Sequence, residues 1–168
     1  MIHEIHGNAL DVKKGIIVHG CNCQGIMGGG IALEVKKRYP QAYEVYRGLY
    51  ERLGLTLGEV QPVMVDLDLD TPKIIVNAMT QDKIGTHRRQ VNYDAVAACF
   101  EQVAAWAEVY KHTYGPLDII FPAIGAGLGG GNWNIIRTII DETIPDDFRK
   151  ILVTFDPFRD ANEELQNL

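Results

Sequence analysis

The sequence is poor in cysteine, in basic charge and in long apolar runs, and each shortage removes a class of protein. Only Cys21, Cys23 and Cys99 are present, an odd number with a C-x-C spacing. That does not build a disulfide framework. Cys21 and Cys23 also lack a second ligand pair at finger spacing, and no carboxylate/His cluster stands at ligand spacing, so neither zinc nor another metal is implied. Lys and Arg total 16 against 22 Asp and Glu, a net charge of -6. A chain so acidic has no global field for nucleic acid, although His87-Arg88-Arg89 is basic enough to meet one anionic group. No apolar run approaches the roughly 18 residues of a membrane span. The opening Met1-Ile2-His3-Glu4-Ile5 has no signal pattern, so no membrane partner and a cytoplasmic protein are expected.

What the sequence does have is glycine in two dense loops. One is Cys21-Asn22-Cys23-Gln24-Gly25-Ile26-Met27-Gly28-Gly29-Gly30; the other is Gly125-Ala126-Gly127-Leu128-Gly129-Gly130-Gly131. Each follows an apolar strand-like run. Glycine lets backbone amides approach a ligand closely, and a glycine turn feeding a helix points N–H groups at one spot, which favours phosphate. Two such loops imply an extended ligand held between them.

At 168 residues and 46% hydrophobic content the chain reads as one domain, residues 1–168. Apolar runs at 2–6, 15–21, 59–65, 73–78, 118–124 and 150–155 read as strands, several without polar alternation, as in a sheet covered on both faces. Helical spacing marks 29–38, 41–53, 93–111 and 133–144. In the third of these, Val96, Cys99, Phe100, Val103, Ala107 and Tyr110 form a core stripe. Asp66 to Asp70 with Thr71-Pro72 reads as a solvated turn between two strands, and the polar tail after Pro157 as surface. The fold expected is an α/β sandwich. Both glycine loops follow carboxyl ends of strands, where open α/β sheets bind ligands. If those strands are close, the loops share one crevice.

Generic motifs fit poorly. A P-loop needs Lys-Ser/Thr after its glycines, and neither loop supplies it. Gly125-Ala126-Gly127-Leu128-Gly129-Gly130 fits the dinucleotide fingerprint by letter but has only one helix and one strand after it. Glycines that merely permit tight turns and close packing are the remaining alternative.

Three segments together resemble the macro domain family: His6-Gly7-Asn8-Ala9-Leu10, the stretch from Gly15 to Tyr39, and Phe121-Pro122-Ala123-Ile124 leading into the second loop and Trp133. His19 followed by Cys-Asn-Cys-Gln-Gly is most similar to the branch with yeast-type ADP-ribose 1''-phosphate phosphatases and the human terminal ADP-ribose glycohydrolase. The resemblance implies a three-layer α/β/α sandwich on a mixed sheet of about six strands. Its ligand would be ADP-ribose or ADP-ribose 1''-phosphate, with no cofactor.

By that resemblance Asn8 and Ala9 meet the adenine, Asn8 standing where many members carry an Asp that accepts from the adenine amino group. As an Asn it equally suits shaping a turn. Phe155 would pack on the adenine ring or belong to the core. Asn22, Gly28, Gly29 and Gly30 would meet the distal ribose, and Gly125, Ala126, Gly127, Leu128 and Gly129 would wrap the diphosphate. Cys21, Gln24, Met27, Ile31 and Ile124 would belong to the same ADP-ribose site. The activity implied is hydrolysis of the distal phosphate, with Asn22 fixing the sugar and His19 assisting water. Hydrolysis of ADP-ribosyl esters, or ADP-ribose binding without catalysis, are the alternatives. The glycohydrolase would need a Lys after the fourth strand and an Asp in the second loop. Gln81 (with Lys83 nearby) and Gly129 stand there instead. His87 is a further candidate near the distal phosphate, and Asp146, Asp147 and Asp156 are the candidate acidic partners.

Overall fold

The computed structural model describes residues 1–168. Six strands form one sheet: β1 (Ile2–Gly7), β2 (Gly15–Asn22), β3 (Val60–Asp66), β4 (Lys73–Gln81), β5 (Ile119–Phe121) and β6 (Lys150–Phe155). Their order across the sheet is β1-β6-β5-β2-β4-β3. All neighbours are parallel except β3, which runs antiparallel to β4 through the acidic turn expected at 66–72. Five helices cover the sheet: α1 (Gly30–Arg38), α2 (Pro40–Arg52), α3 (Tyr93–Tyr114), α4 (Trp133–Thr143) and α5 (Ala161–Gln166). No helix is long and apolar enough to cross a membrane.

The unbroken apolar strands explain the three layers. Ile16 and Val18 of β2 and Ile74 and Val76 of β4 face one core, with Val96, Phe100 and Val103 of α3 and Ile136 and Ile140 of α4. Ile17 and Ile75 face the other core, with Val35 of α1, Ala42 and Tyr46 of α2 and Ala161 of α5. Successive residues of a strand point to opposite faces, so a strand between two helix layers is apolar at every position. The stripe read on α3 is buried from Val96 to Ala107, and Tyr110 at its end is half-buried against the same core.

Two boundaries differ from the sequence reading. β5 ends at Phe121 because Pro122 has no N–H to donate, and the chain leaves the sheet there for the second glycine loop. The tail after Pro157 is not merely surface. Asp160 caps α5 by accepting from the Asn162 N–H, and Ala161 packs on Gly7 so closely that a Cβ there would lie 2.7 Å from its nitrogen. Six residues are too few to show a helical period.

Candidate functional site

Strands β2 and β5 are hydrogen-bonded neighbours, so both glycine loops leave the carboxyl edge of the sheet side by side. Between and beside them run three adjoining cavities. The first, about 480 Å³, is largely apolar and includes Asn8, Ala9, Ile31, Val153 and Phe155. The second, about 320 Å³, lies between Gly29, Gly30 and Ile31 on one side and Ile124, Gly125, Gly127, Leu128 and Gly129 on the other. The third, about 350 Å³, is bounded by Cys21, Asn22, Gly28, Gly29, Gln81 and Thr86. Gly30, Ile31, Pro122 and Ala123 line both the first and second cavities. Gly20, Gly29, Ala32, Gln81 and Leu128 line both the second and third. The three therefore form one groove.

The middle of this groove is made of backbone. The N–H groups of Gly125, Gly127, Leu128 and Gly129 have no acceptor within the protein. Opposite them α1 begins at Gly30 with no side chain capping its first turn. Free N–H groups from two directions, one set at the positive end of a helix dipole, favour an anion between them. The loop is held open by its own bonds: Gly131 N–H donates to Gly125 O at 2.6 Å, and Gln90 and Val91 N–H donate to Gly129 O at 2.8 and 3.2 Å. Position 129 has no room for a side chain, because a Cβ would lie 2.9 Å from Gly125 O and 3.0 Å from Gln81 Oε1.

The first loop is pinned from beneath. Asn22 Oδ1 accepts from the N–H groups of Gln24 and Ile26, and its Nδ2 donates to Ile26 O at 2.8 Å. The buried Tyr46 hydroxyl of α2 lies 2.9 Å from that Oδ1 and 2.6 Å from Asn22 O. Arg47 donates to Gly25 O at 3.1 Å. Asn22 thus spends most of its hydrogen bonds shaping the loop. One Nδ2 proton remains for the third cavity.

His19 corrects the sequence expectation. Its side chain points away from the groove into the core beneath α2 and is 0% exposed. Asn77 Nδ2 donates to Ala42 O, which leaves Asn77 Oδ1 to accept from His19 Nε2–H at 2.7 Å. Burial pushes the imidazole down from 6.5 to about 4, against the opposing pull of the Asn77 bond. Such a ring holds β2 to β4 and, through Asn77, to α2, and it lines none of the three cavities. Met27 is likewise core, packed in the α1/α2 layer. Gln24 donates to Asp82 O at the loop's outer side, and neither it nor Ala126 lines the groove.

The other candidates fall into place by burial and contact. Phe155 is 69% exposed, not core, and borders the first cavity. Asn8 lines the same cavity, yet its Oδ1 caps the short turn after β1 by accepting from Leu10 N–H at 2.9 Å. Gln81 reaches the groove, whereas Lys83 offers its backbone O to Gln81 Nε2 and does not line it. His87 is exposed on the same loop and lines none of the three cavities. Asp146 pairs with Lys150 and Asp147 with Lys111, both at the opposite edge of the sheet. Asp156 accepts from Phe158 N–H. No acidic partner is brought to the third cavity.

Sequence reasoning passed over Thr80, Ile84 and Thr86, which follow or end β4, and Glu34 on α1. The available signal was the rule that ligands gather outside carboxyl strand ends, applied to β4 as well as to β2 and β5.

An α/β/α sandwich with a backbone-lined groove between two glycine loops defines a domain whose free N–H groups suit an extended anionic group. Residues 18–140 match the model of the Macro domain, and the chain belongs to that family. Over 132 residues it is 30% identical to the DNA ADP-ribosyl glycohydrolase of Mycobacterium tuberculosis, which spans 78% of this chain but only 35% of that protein. It is 29% identical over 133 residues to the ADP-ribose 1''-phosphate phosphatase of Candida albicans, covering 77% and 82% of the two chains. The macrodomain of Mycobacterium tuberculosis DarG superposes with a TM-score of 0.74 at 25% identity, covering 91% of this chain and 97% of that one.

Two outcomes follow from this geometry. His19 has its folded pKa below its unfolded one, so its contribution is complete above 6.5 and is lost as pH falls towards 4. That loss amounts to about 3 kcal/mol. Urea denaturation across this interval is expected to show it, and His19→Gln to remove that part of the slope. Gly129→Asp supplies the acid that the glycohydrolase resemblance calls for. Because of the backbone clash it is expected to cost about 2 kcal/mol in denaturant unfolding, with loss of ligand binding by calorimetry. An Asp accommodated without either effect would contradict the packing described.

Proposed function

We propose that this macro domain binds ADP-ribose along the groove and hydrolyses the group carried on C1'' of its distal ribose, with ADP-ribose 1''-phosphate the favoured substrate. The observation that carries the reading is the set of unpartnered N–H groups at Gly125 and Gly127 to Gly129 facing the uncapped start of α1. They lie between an apolar cavity suited to a flat base and a more polar one suited to a sugar. A diphosphate linking base-side and distal riboses matches that order.

The chemistry at the distal end is argued from what surrounds it. Its polar side chains are amides, a hydroxyl and the Cys21 thiol, set among Ile26, Ala32, Ile84 and Leu128, and burial pushes that thiol far above its ordinary range. Glycoside hydrolysis ordinarily enlists two carboxylates around the scissile bond, and none lines this cavity. Phosphoryl transfer passes through a loose transition state served mainly by positioning and by donors to the phosphoryl oxygens. In the favoured reaction water attacks phosphorus, the P–O bond to C1'' breaks, and the departing oxygen takes its proton from solvent. The Asn22 Nδ2, Gln81 and Thr86 are placed to orient the sugar and phosphate. The name of the Candida albicans relative supports the same choice.

A second reading is release of ADP-ribose from nucleic acid, the activity in the name of the Mycobacterium tuberculosis relative. One observation favours it: Lys83, His87, Arg88 and Arg89 are exposed on the loop whose Ile84, Gly85 and Thr86 border the third cavity. A local basic lip of this kind meets phosphates even in an acidic protein.

Calorimetry with ADP-ribose is expected to give one-to-one binding, and ADP-ribose 1''-phosphate to release inorganic phosphate catalytically. Absence of ADP-ribose binding overturns the whole reading. Release of ADP-ribose from an ADP-ribosylated oligonucleotide, with no phosphate release, replaces the first activity by the second.

A further inference from the structure

We infer that Glu34, on the exposed side of α1, is the residue that reads the exocyclic amino group of the base, so that Asn8 plays a different part at the same edge. This rests on the proposed ADP-ribose reading. A flat purine entering the first cavity meets mostly apolar surface, and only Asn8, Glu34 and Thr154 offer polar side chains there. An amino group at position 6 of the ring needs an acceptor. Each of the three has a different capacity to provide one.

Asn8 has committed one lone pair of its oxygen. Oδ1 accepts from Leu10 N–H at 2.9 Å as the cap of the turn at Ala9–Asp11, and that bond fixes the amide orientation. The cap requires the oxygen at that position, which leaves Asn8 an Nδ2 that only donates and one further lone pair on a neutral oxygen. A donor facing an amino group repels it, while facing the ring nitrogen N1 it forms a normal bond. Thr154 donates its hydroxyl proton to Glu4 Oε1 at 3.0 Å and keeps only neutral lone pairs for the cavity. Glu34 is the one anionic acceptor lining the cavity. Its sole ion pair is to Lys37 at 3.9 Å, beyond a good hydrogen bond, which leaves its oxygens available.

Together Asn8 Nδ2 and Glu34 present a donor and a charged acceptor to the N1 and amino positions of adenine. A carboxylate accepting from an amino group is a charge-assisted bond, stronger than the neutral bond an amide oxygen gives. Discrimination against a base lacking the amino group then comes from Glu34.

The test compares ADP-ribose with its 6-desamino analogue, in which purine replaces adenine, by calorimetry on the whole protein. The wild type is expected to bind ADP-ribose about tenfold more tightly than the analogue. Glu34→Ala is expected to bind the two equally, and Glu34→Gln, which keeps a neutral acceptor, to retain part of the preference. Adding Asn8→Asp to Glu34→Ala keeps the cap and supplies a free oxygen, so it is expected to restore the preference. A helix-surface change that merely altered stability would move both affinities and leave their ratio intact. Full discrimination retained in Glu34→Ala overturns the inference, as does discrimination lost in Asn8→Ala alone. Failure of wild-type protein to bind ADP-ribose at all overturns the functional reading instead.

Discussion

Strands β2 and β5 share a short parallel ladder, Ile16 beside Ile119 and Ile17 beside Ile120, and the groove depends on that pairing. Each strand is followed at its carboxyl end by a glycine loop, so pairing the strands brings the loops together. The base end depends on it indirectly, because β6 continues the sheet from β5 and delivers Phe155 to the first cavity. A parallel order also places α1 after β2 with its N-terminus at the same edge. Anion-binding geometry is therefore a by-product of strand order and helix direction, reinforced by glycine.

The loops themselves are held by different means. The first is tied to α2 through Tyr46 and Arg47 and through the self-bonding of Asn22. The second is tied to the segment after β4, whose Gln90 and Val91 donate to Gly129 O, and it packs on Val91. The two side chains read as catalytic in the sequence are committed largely to architecture. His19 joins β2 to β4 and α2, and Asn22 folds its own loop. What remains for a ligand is mostly backbone.

The legible part of the fold was the part with strong periodicity. Unbroken apolar strands and the Val96-to-Ala107 stripe specified layers and sheet burial, and the glycine loops specified which edge carried the site. α5 escaped because six residues give no period, and β5 was read too long because Ile124 prolongs an apolar run past Pro122. Within the site, glycine positions were legible and side-chain roles were not. Spacing places His19 just before the loop but does not say which face of β2 it takes; strand alternation puts it with Ile17 and away from the groove. The turn-shaping reading of Asn8 was open from its residue type, whereas the commitments of Asn22 depend on loop bonds formed within a few residues that nothing in composition announces. Glu34 was invisible as a site residue because a glutamate on a helix surface is ordinary.

The centre of the groove is built from free main-chain N–H groups. Main-chain donors are the same whatever residue carries them, so the grip is indifferent to side-chain change wherever the loop geometry survives. The side chains that border the two ends, Glu34 and Phe155 at one and Ile84, Thr86 and Leu128 at the other, are separable from it. Substitution at either end changes the surface there while the backbone-lined centre stays the same. Such a domain is modular along its groove: a constant middle with two exchangeable ends.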